Sequence, residues 1–401
     1  MNTRKDMQNL VILGSTGSIG VQTLDLLGST ELMTRYTVYG LSAYGKDIER
    51  LTQQVAEYRP RKVAIYHARG AEELRRLFGT RVEILGGSDG IEALVRDPEV
   101  HIVMSGIAGT GALKPTYEAV VAGKVVCLAN KESLVSMGAI LTDAARKSGA
   151  AIIPVDSEHS AVYQMLQAAG PSPIRRIILT ASGGPFRETP LDQLVYVTPE
   201  QALQHPTWRM GPLVTVNSAT LMNKGQEVIE AQWLFGLPSQ AIEAVIHPSS
   251  IVHAIVEFRD NTMMMQAATP DMRWSILYAL TQPERIQSPV APLDMTKVGH
   301  LDFEEINMAR YPCYRLARWA SERAELFPAV LNAANEVAVG GFMQHSIRFT
   351  DIAAVIEETL SAFDNEGLRG LTLPKVLEAD RVGRRIAVDV MGRISAASAR
   401  V

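Results

Sequence analysis

Carboxylates, lysines and small polar residues gather at three places in the chain. Val155-Asp156-Ser157-Glu158-His159 follows the apolar run 151–154, so it stands at the carboxyl end of a strand, where open α/β sheets place their ligands. Asp156 and Glu158, two residues apart, converge on one cation if the backbone turns there, and hard divalent ions such as Mg²⁺ or Mn²⁺ take oxygen ligands of this kind. The same residues fit a helix N-cap, because Asp or Ser followed by Glu is common at helix starts, and taken alone the pattern favours the cap. The second concentration is 216–227, where Ser218, Asn223 and Lys224 supply two neutral hydrogen-bonding groups and one cation, a set suited to a phosphate monoester. Glu227, one helical turn after Asn223, offers a third carboxylate on the same side, or is surface polarity near a helix start. The third is Asn130-Lys131-Glu132-Ser133 after the strand-like run 124–128, again at the ligand edge, with a capping role as the alternative for Asn130.

Near the N-terminus the apolar run 10–13 leads into Gly14-Ser15-Thr16-Gly17-Ser18-Ile19-Gly20 and then a helical pattern from Val21. Strand, glycine turn and helix start stand in the order nucleotide binding requires, since glycine lets the backbone approach a pyrophosphate whose charge meets the unpaired N–H groups of the helix. The spacing is G-x-x-G-x-x-G, so the motif draws its weight from that context. After the second strand come Ser42 and Lys46, which can receive a 2′-phosphate and favour NADP over NAD; Asp47 and Glu49 read as the solvated first turn of a helix. A long stretch, 182–212, opens with Ser182-Gly183-Gly184-Pro185-Phe186 and closes with His205-Pro206-Thr207-Trp208-Arg209-Met210-Gly211. Glycines at one end and Trp and Met at the other suit a hinged flap that shields a reactive species from water, although Trp208 serves equally as a core anchor. His247 and His253 lie on strand-like segments and read as packed histidines.

The elements that position these residues follow from periodicity. Apolar runs at 10–13, 36–41, 62–65, 81–85, 101–104, 124–128 and 151–154 alternate with amphipathic segments at 21–27, 48–57, 72–78, 115–122 and 134–145, the rhythm of a parallel α/β sheet. Beyond residue 152, strands are expected at 177–180, 214–216, 244–246, 251–258 and 262–267 and helices at 226–235 and 272–280, which describes an α+β domain. Residues 281–311 read as a connector, and helical patterns alone follow at 314–322, 327–344, 351–363 and 375–391. The chain thus divides into 1–152, 153–280, 281–311 and 312–401. Its 401 residues carry 39 basic and 43 acidic side chains, a net charge of −4 and 47% hydrophobic residues, which excludes disorder and gives no electrostatic case for nucleic acid or an anionic membrane. Two distant cysteines, Cys127 and Cys313, offer neither a disulfide framework nor a zinc knuckle, so a reducing cytoplasm is expected. The start, MNTRKDMQNL, runs into a strand without a small-residue cleavage site, and no run of 18 apolar residues occurs, so neither secretion nor membrane spanning is expected.

Taken together, these segments resemble the 1-deoxy-D-xylulose 5-phosphate reductoisomerase family. The resemblance rests on GSTGSIG at 14–20, LANKESLV at 128–135, PVDSEH at 154–159, SGGPFRE at 182–188, HPTWRMG at 205–211, VNSATLMNKGQEVIEA at 216–231, HPSSIVHA at 247–254, RYPC at 310–313 and LNAANE at 331–336, in order over nearly the whole chain. It implies a Rossmann-like NADPH domain, an α+β catalytic domain with a flexible flap at 182–212, and a small helical C-terminal domain. It also implies metal-dependent rearrangement of 1-deoxy-D-xylulose 5-phosphate and NADPH reduction to 2-C-methyl-D-erythritol 4-phosphate, on the non-mevalonate route to isoprenoid precursors. By the same resemblance Asp156, Glu158 and Glu227 hold Mg²⁺, Mn²⁺ or Co²⁺. Lys131, Ser157 and Glu158 hold the carbonyl and hydroxyl end of the substrate, with Lys131 also assisting catalysis; Ser182, His205, Ser218, Asn223 and Lys224 hold its phosphate, and Trp208 and Met210 close over it. Thr16, Gly17, Ser18, Ile19, Gly45, Lys46, Asp47, Asn130, Glu132 and Gly211 meet NADPH, and the chain forms a homodimer.

The sequence departs from the family pattern at two places. Where the family commonly reads Ala-Gly-(Lys or Arg)-Asn, this chain has Ala43-Tyr44-Gly45-Lys46-Asp47, with an added Tyr44 and with Asp in the Asn position. Asp47 therefore opposes a 2′-phosphate unless it points to solvent or caps the next helix. Asn217 replaces the Asp often found before Ser-Ala-Thr, a minor change because Ser218 is the expected contact. Two rival readings remain: a plain NADP-dependent dehydrogenase of a phosphorylated aldehyde leaves three carboxylates unused, and an NADPH sensor without turnover is expected to show damaged carboxylates or lysine, which this sequence does not.

Overall fold

The computed structural model describes residues 7–170, 172–365 and 370–398, and the basic start of the chain, 1–6, lies outside the described residues. The chain divides into two compact units. The first runs to Ser133 and adds Leu141–Ser160 and Asp271–Ala291; the second takes Leu134–Ile140, Ala161–Pro270 and the chain from Pro292 onward.

In the first unit strands and helices alternate, as the periodicity requires: β1 (Gln8–Leu13), α1 (Ser18–Ser29), β2 (Tyr36–Ala43), α2 (Ile48–Tyr58), β3 (Lys62–Ile65), α3 (Ala68–Phe78), β4 (Glu83–Gly86), α4 (Gly87–Arg96), β5 (Ile102–Ser105), α5 (Leu113–Val121), β6 (Val125–Leu128), α6 (Lys131–Ser148), β7 (Ala151–Pro154) and α7 (Ser157–Ala169). The seven strands lie in the order β4-β3-β2-β1-β5-β6-β7, each pair parallel. This is a Rossmann-like sheet. Covered on both faces, its central strand reads as an unbroken apolar run, and Leu10, Val11, Ile12 and Leu13 are all fully buried. Strand order reverses between β1 and β5, and the crevice outside their carboxyl ends is where such sheets bind ligands.

The second sheet is built from β8 (Ile174–Ala181), β9 (Ile242–Ile246), β10 (Val252–Phe258) and β11 (Met263–Ala267) in the order β11-β10-β8-β9. Between β8 and β9 the chain forms α8 (Pro199–Ala202), α9 (Pro212–Ala219) and α10 (Met222–Phe235). The strand expected at 214–216 is part of α9. Its β-branched residues suggested a strand, but Gly211 at the N-cap and Pro212 in the first turn start a helix, and Val216 and Asn217 are buried on it. The flap stretch holds more regular structure than its sequence suggests: a 3₁₀ turn at Leu191–Tyr196, then α8, opened by a capping box between Thr198 and Gln201.

Residues 272–280, expected as a helix of the second domain, form α11 (Arg273–Thr281), which packs with α1 and β6 in the first unit. The Cys127 thiol donates to the Ala279 carbonyl at 3.4 Å, and the Tyr36 hydroxyl donates to the Leu280 carbonyl. These ties draw part of the expected 281–311 connector into the first unit. The chain then returns through α12 (Met295–Val298) to the helical C-terminal region, α13 (Pro312–Arg323), α14 (Phe327–Met343), α15 (Asp351–Ala362) and α16 (Leu373–Ser398). This region fixes the helices that carry the candidate site: Asn335 on α14 donates to Asn217 Oδ1 on α9 at 3.0 Å, and Gln226 on α10 donates to Asn332 Oδ1 at 2.9 Å. Asn217, the family's Asp position, is thus a buried tie to the helical region. Cys127 and Cys313 are free and buried, and burial pushes both thiols up to about 12. No helix among the described residues is long and apolar enough to cross a membrane.

Candidate active site

The glycine loop is forced by sterics. Gly14 has φ +76°, and a Cβ there would sit 2.8 Å from the Gly106 carbonyl oxygen; a Cβ on Gly20 would lie 2.4 Å from both the Gly14 oxygen and the Ser15 Cα. Gly17 is the N-cap of α1 and no side chain caps it, nor does an acidic residue stand in the first turn, so no side-chain cap or first-turn acid offsets the partial positive charge of the helix start. Thr16, Gly17, Ser18 and Ile19 line this turn, exposed or half-buried.

The Ser42 expectation is corrected. Its side chain is fully buried, its hydroxyl accepts from Gly14 N at 3.3 Å and its carbonyl accepts from Ser15 N at 2.8 Å, so Ser42 braces the glycine loop instead of facing a phosphate. Lys46 is exposed, its Nζ 5.3 Å from the centre of the Tyr44 ring, beside Gly45 at φ +104°. Asp47 caps α2, accepting from Arg50 N at 3.0 Å, and also lies 3.5 Å from Arg50 Nε. The Arg50 guanidinium in turn reaches the Thr16 carbonyl at 3.4 Å, bringing to the glycine loop a cation that sequence reasoning missed. Its only signal was a basic residue one turn into α2.

At the other side of the switch point, Asn130 is both a cap and a brace. Its Oδ1 accepts from Ser133 N at 2.9 Å, which starts α6, while its amide donates to the Ile107 and Gly109 carbonyls at 2.9 and 3.1 Å and to Glu132. Glu132 also accepts from Gly109 N at 3.1 Å, and both residues are buried. Lys131, the first residue of α6, forms an ion pair with Asp156 Oδ2. Asp156 divides its two oxygens: Oδ1 accepts from Glu158 N and His159 N at 3.2 and 3.4 Å and lies 3.3 Å from Nδ1 of the fully buried His159, while Oδ2 turns to the lysine. Asp156 therefore caps α7 with one oxygen and presents the other, and the two sequence readings are compatible. The Ser157 hydroxyl donates to Glu158 Oε2 at 3.0 Å.

In the second unit Ser182 and His205, 23 residues apart, meet at 3.0 Å through Oγ and Nε2. His205 Nδ1 accepts from Thr207 N at 3.2 Å and from Trp208 N at 2.9 Å. With Nδ1 an acceptor, the ring proton is on Nε2 and is donated to Ser182. Burial lowers the His205 pKa to about 4, so the ring is neutral at neutral pH. Ser182 Oγ also accepts from Gly184 N at 3.2 Å, which leaves its own hydroxyl proton as the donor for a ligand. Gly184, at φ +70°, packs so closely on α9 that a Cβ would lie 2.7 Å from Ala219 Cα and 2.8 Å from the Ser218 oxygen, and this sets the Ser182 turn beside Ser218.

Leu221, at φ 55°, makes the sharp corner between α9 and α10. Just past it Asn223 donates to Glu227 Oε1 at 2.6 Å and Lys224 pairs with Glu227 Oε2. Glu227 is fully buried and Lys224 nearly so, and Asn223 Oδ1 is a buried acceptor with no hydrogen-bond partner. A buried carboxylate is costly unless paired, and Glu227 has both a lysine and an amide donor as partners. Trp208 is half-buried, its ring 6.0 Å from and edge-on to that of His253; Met210 is half-buried and Gly211 exposed. His247 and His253 are fully buried, and His247 stacks on Phe303 at 4.7 Å, as packed histidines. Below the flap stretch lies a cavity of about 760 Å³ lined by Ser182, Gly184, Arg187, Gln204 and Pro206 among others. The roles of Arg310 and Tyr311 were not read from the sequence: Arg310 donates to the Phe186 and Thr189 carbonyls at 3.0 and 2.6 Å and the Tyr311 hydroxyl to the Gly183 carbonyl at 2.9 Å, anchoring the start of the flap.

A Rossmann-like sheet with an uncapped glycine-loop helix, in one chain with two lysine-paired carboxylates, has the make-up of a dinucleotide-dependent enzyme. Comparison with known proteins makes this specific. Residues 10–138 match the family model 1-deoxy-D-xylulose 5-phosphate reductoisomerase, 152–235 its C-terminal domain, and 267–386 a further DXP reductoisomerase C-terminal domain. The 1-deoxy-D-xylulose 5-phosphate reductoisomerase of Chlorobium limicola is 46% identical over 387 residues, covering 96% of this chain and 100% of its own. The Zymomonas mobilis enzyme, solved in complex with NADPH, superposes with a TM-score of 0.88 at 37% identity, covering 96% of this chain and 99% of that one. A DOX-P reductoisomerase solved with NADPH, fosmidomycin and magnesium gives 0.89 at 36% identity, covering 96% and 98%. The chain belongs to the 1-deoxy-D-xylulose 5-phosphate reductoisomerase family.

Proposed function

We propose that this chain converts 1-deoxy-D-xylulose 5-phosphate into 2-C-methyl-D-erythritol 4-phosphate with NADPH and a divalent cation, Mg²⁺, Mn²⁺ or Co²⁺, in the making of isoprenoid precursors. The observation that carries the site assignment is a repeated device: Asp156 is paired with Lys131, and Glu227 with Lys224. With Glu158, these carboxylates are the metal ligands; the donor set is all oxygen, as a hard divalent ion prefers, and a fully buried Glu227 fits a cation better than it fits water. With a cation held by these carboxylates, Lys131 and Lys224 would be available to the substrate's oxygens and its phosphate respectively.

The cation supplies Lewis acidity, stabilising negative charge that develops on substrate oxygens during rearrangement. The protein's own residues do the rest. Ser182, through the hydroxyl proton that His205 leaves to it, with Ser218, Asn223 and Lys224, grips the phosphate remote from the breaking bond and keeps both fragments of the cleaved skeleton in place. Lys131 stabilises the developing oxyanion beside Ser157 and Glu158. Trp208 and Met210 cover the reacting carbons and exclude water. NADPH would supply the hydride; Thr16, Gly17, Ser18 and Ile19 would hold its pyrophosphate, Gly45, Lys46 and Arg50 its 2′-phosphate, and Asn130, Glu132 and Gly211 its nicotinamide half. Asp47 takes part by capping α2 and holding Arg50.

The chain works as a homodimer in the cytoplasm. The first reading is supported by the edge strand β11, which leaves Met263 and Met265 about half exposed, and the second by two unpaired buried thiols. Light scattering of the purified protein checks the dimer. The activity is tested by following NADPH oxidation with 1-deoxy-D-xylulose 5-phosphate before and after chelation of divalent metal. Metal-dependent oxidation is expected; metal-independent oxidation would favour a plain dehydrogenase, and no oxidation by a folded, NADPH-binding protein would favour a sensor.

A further inference from the structure

The turns that follow β2 and β3 place three aromatic rings at the ligand edge of the first sheet. Tyr44 and Tyr66 are nearly parallel, 12° apart with centroids at 5.3 Å, and the His67 ring stands edge-on to both, at 5.0 and 6.3 Å. Backbone bonds lock the two turns together: Tyr66 N donates to the Ala43 carbonyl at 3.0 Å and His67 N to the Tyr44 carbonyl at 3.1 Å. Gly45 allows the approach, since a Cβ there would lie 3.1 Å from His67 Cβ in a left-handed conformation, φ +104°. Despite this order, Tyr44 remains 51% and Tyr66 49% exposed, so the rings are held rigidly while half their area faces water. A cation stands beside them, Lys46, 5.3 Å from the Tyr44 centroid, and Arg50, on the helix that follows, is bonded to the glycine loop at Thr16.

We infer that Tyr44 and Tyr66 form a stacking ledge for the adenine ring of the dinucleotide, with His67 bracing the pair edge-on. This deepens the NADPH reading and rests on it. Offset parallel rings extend readily by one more flat ring, every base offers a π-face, and a ledge fixed before binding loses little entropy when the base arrives. Tyr44 is also the residue added to the family's pattern, and Asp47, in place of the family's Asn, is occupied in capping α2. The added ring would supply adenine contact at the turn where Asp47 serves as the helix cap.

The test is direct binding, read by quenching or enhancement of reduced-nicotinamide fluorescence on the full chain. Tyr44→Ala and Tyr66→Ala are each expected to raise the Kd for NADPH about 10-fold, and that for NADH by the same factor, because stacking ignores the 2′-phosphate. Tyr44→Phe is expected to keep wild-type affinity, and Lys46→Ala to weaken NADPH but not NADH. Reduced nicotinamide mononucleotide, which lacks adenosine, is expected to serve Tyr44→Ala and wild type with equal kcat/KM. Unchanged NADPH affinity in both alanine variants would overturn the ledge, as would an equal loss for the mononucleotide, which marks a general distortion of the unit. Failure of the wild-type protein to bind NADPH would instead overturn the cofactor reading on which the ledge depends.

Discussion

In the proposed function the glycine turn and the Ser182–Lys224 cluster each take a phosphate, by opposite means. Around Gly14, Gly17 and Gly20 the binding groups are backbone N–H groups at an uncapped helix start, and the sequence's task is to keep side chains out of the way. Around Ser182, His205, Ser218 and Lys224 the binding groups are side chains, Ser218 and Lys224 buried and Ser182 and His205 half-buried, with Ser182 set by His205, Lys224 by Glu227 and His205 by two backbone amides. A backbone site fails when an atom is added. A side-chain site fails when an atom is removed or a proton moves.

The sharpest break of this contrast is Glu227→Gln. Turnover should fall about 1,000-fold or more, as loss of a group stabilising transition-state charge does, while the NADPH Kd stays within about twofold; near-normal turnover would remove Glu227 from the site. The converse change is Gly20→Ala, whose Cβ has backbone atoms at 2.4 Å. It should cost about 1–3 kcal/mol of stability by overpacking and weaken NADPH binding, read by denaturant titration and by fluorescence. Ser182→Ala should raise the KM for the sugar phosphate about 10-fold and change kcat less, because the lost hydrogen bond serves ground state and transition state alike; a fall confined to kcat would deny it a binding role.

A pH series sharpens the comparison further. His205 has a folded pKa of about 4, below its ordinary 6.5, because burial disfavours the charged ring. The unfolded chain therefore takes up the proton first, and the stability contributed by a neutral His205 is fully present above about pH 6.5 and declines as pH falls toward about 4. Thermal unfolding of His205→Gln should lack that part of the decline, whereas Gly20→Ala should keep it. The smallest effect is that of Asp47→Ala, about 1 kcal/mol for loss of the α2 cap; a much larger loss would give Asp47 a role beyond the cap and Arg50.

The parallel sheet and the glycine turn were legible because both rest on local rules: apolar runs of strand length between amphipathic segments, and glycines where no Cβ fits. Asp156 was legible only as an alternative, cap or ligand, since the sequence cannot show that one carboxylate oxygen serves the helix while the other meets Lys131. The strand expected at 214–216 failed because a β-branched triplet outweighed the Gly211-Pro212 helix start. Ser42 was misread because a hydroxyl near a ligand edge looks like a contact until its burial is seen. The anchoring of the flap by Arg310 and Tyr311 joins residues more than 100 apart, a separation at which neither periodicity nor motif spacing carries information.

The central claim is that the carboxylates paired with Lys131 and Lys224 are metal ligands. Its most direct test is Mn²⁺ binding to the purified chain by electron paramagnetic resonance of the free ion, for wild type, Asp156→Asn and Glu227→Gln. The account predicts one tight ion per chain in the wild type and roughly 100-fold or greater weakening in each variant. Equal Mn²⁺ affinity in all three proteins would contradict it.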